Sequence, residues 1–75
     1  EGVFGLQRAF KIAGARSLIV SLWQVPDKQT SELMIKFYHF YLNGNSKAQA
    51  LRNAQNEIKK DYPNPYYWAG FELIE

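Results

Sequence analysis

Nucleophilic catalysis by a thiolate needs a cysteine with an imidazole in hydrogen-bond reach, and this 75-residue chain has no cysteine and one histidine, His39. His39 lies in the run Phe37-Tyr38-His39-Phe40-Tyr41. Its aromatic neighbours recur at helical spacing, so a packing or surface role is expected of it. Ser17 and Ser21 are hydroxyls with no base placed to activate them, and Gly2, Gly5 and Gly14 lack the spacing of a phosphate loop. No Cys or His pair has zinc-ligand spacing, and neither metal nor cofactor is expected. What remains is Trp23-Gln24-Val25-Pro26-Asp27, directly after an apolar run. In open α/β sheets ligands bind beyond the carboxyl ends of the strands, which makes Trp23, Gln24, Val25 and Asp27 the candidate substrate-contacting set. Trp23 could supply an apolar wall and Asp27 could pair with a basic group. The same residues also suit plain structure, Asp27 as a helix N-cap and Trp23 as a packing residue.

Positioning that loop requires a strand before it and a helix after it. Ser17 to Trp23 is a short apolar run with no polar alternation across Leu18, Ile19 and Val20, the pattern of a strand covered on both faces. Upstream, Val3, Leu6, Phe10 and Ala13 recur at helical spacing and Gly14 is placed as a left-handed cap, which predicts a helix over residues 3–13. After Asp27, the residues Thr30, Leu33, Met34, Phe37, Phe40 and Tyr41 share one broad face, and Asn43-Gly44 closes that helix. Ser46 and Gln49 form a capping-box pattern for a third helix, whose apolar face is Ala50, Leu51, Ala54, Ile58 and Tyr62 and whose stop is Asp61-Tyr62-Pro63. A last strand is expected over residues 67–74, antiparallel to the first.

The fold class is therefore α/β, in the order helix, strand, helix, helix, strand, with three helices on two strands. Two strands alone are marginal in water, so residues 18–22 are expected to present an unpaired edge to a neighbour, either missing sheet or a second copy. The chain opens at Glu1 and is expected to be a segment of something longer, one unit with no second domain. At this length folding buries only about 60% of the surface of the unfolded chain. A 47% hydrophobic and 16% aromatic composition nevertheless supplies a core and argues against disorder.

The net charge is +2, but nine Lys and Arg interleave with seven acids, so no stripe tracks a phosphate backbone and nucleic acid is not an expected partner. Lys59 and Lys60 fall where a helix would end and complement its dipole. No stretch reaches the ~20 apolar residues of a membrane span. The lack of cysteine suits a cytoplasmic setting.

Three blocks, Gly2-Val3-Phe4-Gly5-Leu6-Gln7-Arg8-Ala9-Phe10 with Ala13-Gly14-Ala15, then Ser21-Leu22-Trp23-Gln24-Val25-Pro26-Asp27, and finally Ala50-Leu51-Arg52-Asn53-Ala54-Gln55 leading to Tyr66-Tyr67-Trp68-Ala69-Gly70-Phe71, resemble the CHAT domain family over essentially the whole chain. Glu72 departs from that pattern, where a small or apolar strand residue is usual. The resemblance implies a caspase-haemoglobinase fold, frequent attachment to tetratricopeptide repeats, and a His/Cys peptidase dyad lying upstream of the residues present here. On this reading the chain is the C-terminal portion of a CHAT domain, with the rest of that domain, the repeats and a protein or peptide substrate as partners of the parent. Alternatively, the parent domain is a degenerate scaffold for protein interaction. A free-standing small α/β domain with an unknown partner is the third possibility.

Overall fold

The computed structural model describes residues 7–75. Two helices cover one face of a three-stranded antiparallel sheet. Strand β1 is Arg8–Lys11, β2 is Leu18–Ser21 and β3 is Phe71–Ile74, and helices α1, Asp27–Leu42, and α2, Lys47–Asp61, lie between β2 and β3 in the chain. The sheet order is β1-β2-β3, with Ile19 opposite Phe10 on one side and Leu73 on the other.

The expected first helix is corrected to a strand over the part that is described; residues 3–6 of that expectation lie outside the described residues. Arg8 and Phe10 are half-buried, Ile12 is fully buried, and Ala9 and Lys11 are exposed, so the run has a period of two. Fitting Phe10 and Ala13 to a helical stripe depended on Val3 and Leu6. The turn between β1 and β2 explains the ambiguity further, because Gly14 has φ 77°, a conformation that serves a tight hairpin as readily as a helix cap. The amide of Ile12 donates to the Ser17 carbonyl at 3.1 Å and closes that hairpin. The expected free edge on residues 18–22 is overturned by the same pairing. Strand β2 is central, hydrogen-bonded on both sides, and the outer edges among the described residues belong to β1 and β3.

The helices form where their apolar faces predict. Leu33 and Phe37 of α1 and Ala50, Leu51, Ala54 and Ile58 of α2 join Ile12, Ile19, Val25 and Phe71 in one buried cluster. The small Ala50 and Ala54 leave volume for the large Phe37 and Leu33, as dense packing requires. Helix α1 ends before Gly44, at φ 105°. Helix α2 starts with the Ser46 hydroxyl accepting from the Gln49 amide at 3.1 Å, half of the expected capping box, because the Gln49 side chain instead donates to Asn53 at 2.8 Å. Lys59 and Lys60 occupy the last turn of α2, as expected.

The last strand is shorter than residues 67–74. A 3-10 turn over Pro65–Tyr67 comes first, with the Asn64 side chain accepting from the Tyr66 amide at 3.0 Å. Gln55 fixes this turn to α2. Its Nε2 donates to the Trp68 carbonyl at 2.7 Å and to the Phe71 carbonyl at 3.1 Å, so one side chain satisfies the two backbone acceptors that bracket the approach to β3. Replacing Gln55 by Leu keeps the bulk and leaves both acceptors without that donor. Urea unfolding of the Q55L chain should show a loss of about 1–3 kcal/mol, and an unchanged midpoint would show that solvent replaces the bridge.

Candidate functional site

The loop after β2 is built from contacts that sequence alone did not predict. The Leu22 amide donates to the Gly70 carbonyl at 2.8 Å, carrying the pairing of β2 with the β3 segment past the end of the strand. Trp23 then lies against Gly70 so closely that a Cβ on Gly70 would stand 2.7 Å from Trp23 Cε2. The Trp23 Nε1 donates to the Tyr66 carbonyl at 2.8 Å. Gln24 is exposed, whereas Val25 is 1% exposed and its carbonyl accepts from the Thr30 hydroxyl at 3.4 Å.

Asp27 does not cap the helix. Pro26 occupies the N-cap, with φ −55° and ψ 148° and no side-chain cap bond, and Asp27 is the first residue of α1. Its carboxylate accepts from Arg8 Nη1 at 2.7 Å, and the Arg8 guanidinium sits 4.9 Å from the centre of the Phe10 ring. Asp27 is 90% exposed, so solvent screens the pair, whose main effect is to hold β1 beside the start of α1. Proline at the cap position explains the difference from expectation: it supplies no side-chain acceptor, and the chain enters the helix on its fixed φ.

The structure thus brings the four candidate residues onto one loop but turns them two ways. Trp23 and Val25 pack inward, and Gln24 and Asp27 face solvent. Neither Ser21 nor His39 gains a catalytic partner. Ser21 Oγ is buried with no hydrogen-bond partner, hence with no base beside it. His39 is exposed on α1 with its ring edge-on to Phe40 at 5.2 Å. Among the described residues no group of His, Cys, Asp and Glu side chains is arranged to hold a metal ion.

Two clefts lie along the junction of α1 and α2, and none of the four loop residues lines either. One, of about 360 Å³, is bordered by Glu32, Ile35, Lys36, Asp61 and Tyr62; the other, of about 430 Å³, by Ile35, Lys36, His39, Phe40 and Glu57. Of these residues the sequence singled out only His39, Phe40 and Tyr62 for packing or a surface role, because α1 was read chiefly for its buried face. The available signal was Ile35, an aliphatic residue off the stripe of Leu33, Phe37 and Tyr41.

Comparison of the sequence with known proteins finds relatives. A family profile described as CHAT domain matches residues 1–75. The chain is similar to tetratricopeptide repeat protein 28 of Homo sapiens, with 41% identity over 99% of the chain, and to the Mus musculus protein of the same name, with 37% identity over 99% of the chain. In both cases it spans 3% of the relative's length. No solved structure matches.

The contact of Trp23 with Gly70 gives a direct test of how the loop is held. Gly70→Ala forces the indole away from β3 and should destabilise the chain by about 1–3 kcal/mol, with a red shift of Trp23 emission read in a Trp68→Phe background. Wild-type stability and emission would mean that the loop adapts without relying on this contact.

Proposed function

The chain belongs to the CHAT domain family, and from that premise we propose that it forms the C-terminal structural and cleft-bordering portion of a caspase-like cysteine peptidase domain whose His/Cys dyad lies outside these residues. The observation that carries this reading is the character of the sheet. Ile19 faces the helices in the core cluster, so by alternation Leu18 and Val20 point to the opposite side, with Ile74 of β3 beside Leu18 in register. On that side Val20 is 1% exposed, whereas Ile74 is 43% exposed and Leu22, just past β2, is 38% exposed. A sheet apolar on both sides suits the interior of a larger α/β domain, not a free two-layer module. Glu72 is the exception on β3, opposite Val20 and exposed.

On this proposal the parent acts on a protein or peptide, works alongside tetratricopeptide repeats and sits in the cytoplasm. The loop residues Gln24 and Asp27 border the cleft, and Trp23 and Val25 hold it in place. The absence of Cys from all 75 residues means that the chain itself supplies no thiolate. Among the described residues no helix is long and apolar enough to cross a membrane.

A second reading, a degenerate CHAT scaffold for protein interaction, draws support from the loop. Trp23 and Val25 are spent on packing and Asp27 is already engaged by Arg8, which leaves little of the loop uncommitted. The relatives are tetratricopeptide repeat proteins by name, which is consistent with either reading.

One measurement tests the chain itself and one, in the parent, separates these readings. The 75-residue chain should cleave none of a panel of fluorogenic peptides, and turnover that survives serine- and metallo-protease inhibitors would overturn the assignment of the chemistry to residues outside it. In the full-length parent, Asp27→Asn removes a charge while leaving the fold nearly intact. If Asp27 faces a basic substrate residue, the ratio of cleavage after Arg or Lys to cleavage after neutral residues should fall about tenfold or more. A parent that cleaves no peptide while still capturing its protein partners would replace the peptidase reading with the scaffold.

A further inference from the structure

Asn43 and Gly44 follow the last turn of α1, where a side-chain amide stands next to the least hindered of backbone nitrogens. We propose that Asn43 is a self-modification site, at which the Gly44 amide nitrogen attacks the Asn43 side-chain amide once the cap of α1 has opened. In that step the bond from Gly44 N to Asn43 Cγ forms, the bond from Cγ to Nδ2 breaks, and the amide proton leaves with Nδ2 as ammonia. Water then adds to one of the two carbonyls of the five-membered imide. Ring opening at Cγ leaves an aspartyl residue, and opening at the main-chain carbonyl leaves an isoaspartyl link. The reaction is independent of the function proposed above and needs no reagent but water.

Glycine makes the nucleophile accessible. It has no side chain to hinder the approach to Cγ, and a Cβ at Gly44 would meet nothing within 4 Å, so the turn stands in open solvent. Asn43 is also exposed, which gives water access to the imide. The other asparagines lack this combination. Asn53 and Asn56 lie inside α2, where the following amide is held in the helix ladder; Pro65 after Asn64 has no N–H; and the nitrogen after Asn45 is crowded by the Ser46 side chain.

In the closed cap the reacting groups are held apart. The Gly44 amide donates to the Tyr41 carbonyl at 3.2 Å, and Asn43 Nδ2 donates to the His39 carbonyl at 2.6 Å. Asn43 has ψ 15°, whereas ring closure needs the Gly44 nitrogen eclipsed with Cβ. The peptide must therefore turn through more than a right angle, and the side chain must leave the His39 carbonyl. Asn45 guards the same turn, because its main-chain and side-chain amides both donate to the Phe40 carbonyl, at 3.2 and 3.0 Å. Helix ends open locally at far lower cost than the whole fold, so the reaction draws on chains whose α1 end has frayed. Its product does not recap. The Nδ2 donor is gone, and a carboxylate stands where the helix carbonyls are already negative. An isoaspartyl link also adds a backbone carbon to residues 43–46, the connection that must deliver Ser46 to cap α2. The modification is a one-way record of opening at the α1–α2 turn.

The test incubates the 75-residue chain at neutral pH in water labelled with heavy oxygen, both native and in guanidinium chloride, beside the variants Asn45→Ala and Asn43→Gln. Peptide mass spectrometry follows replacement of NH2 by labelled OH, and an isoaspartyl methyltransferase assay follows the isoaspartyl product. The native chain should convert at residue 43 at least about fivefold more slowly than the denatured chain, with isoaspartyl product in excess of aspartyl. Asn45→Ala should raise the native rate about threefold or more and leave the denatured rate unchanged. Asn43→Gln, whose longer side chain cannot close a five-membered ring, should show no conversion at that position in either state. Equal native and denatured rates, aspartyl product alone, conversion centred on Asn45 or Asn64, or a native rate unmoved by Asn45→Ala would each overturn the proposal.

Discussion

A sheet of three strands, each four residues long, cannot persist by its own hydrogen bonds, so the structure depends on the apolar layer that α1 and α2 lay over β2. Ile19 is the residue where that dependence concentrates. It is fully buried, paired in register with Phe10 and Leu73, and clustered with Leu33, Phe37 and Ile58 from the two helices. Both flanking strands align on this one strand, and both helices close over it. A single core of this size has little redundancy, and substitutions at these positions remove both sheet and helix contacts together.

The junctions show how so small a core is kept in shape. Each connection between layers has a specific polar tie: Arg8 with Asp27 between β1 and α1, Trp23 with the Tyr66 carbonyl between the β2 loop and the turn before β3, and Gln55 with the Trp68 and Phe71 carbonyls between α2 and β3. The Ala13 amide donates to the Tyr38 hydroxyl at 2.9 Å and ties the hairpin turn to α1. Each such bond contributes about 0.5–1.5 kcal/mol net. Their value is in fixing register, since a slip of one residue in β3 would exchange Phe71 and Leu73 for Glu72 on the core face.

Most of the fold was legible where the signal was long. The 3.6-residue periodicity of Leu33, Phe37 and Tyr41, and of Ala50, Leu51, Ala54 and Ile58, identified both helices and their ends, and the apolar Leu18-Ile19-Val20 identified the central strand. The short β1 was not legible. Four residues carry too few turns of either period to decide, and Gly14 fits a hairpin and a helix end alike. The site was legible only as a loop. That Asp27 would take Arg8 in place of a cap follows from an antiparallel pairing that sets Arg8 opposite Ser21, information that no local pattern around Asp27 contains.

The pairing of β2 with β3 joins Leu18 to Ile74 across the two helices, whereas the β1–β2 hairpin and the α1–α2 pair are closed by short turns. Closing so long a loop before its contacts repay the lost chain entropy is slow. By this argument the hairpin and the helix pair, closed locally, are expected to form before β3 docks between α2 and β2, where Gln55 and Trp23 then meet the carbonyls of Trp68, Phe71 and Tyr66. Until that strand docks, one edge of β2 stays open, and the time spent in that state is when the nascent chain is most exposed to pairing with a wrong partner.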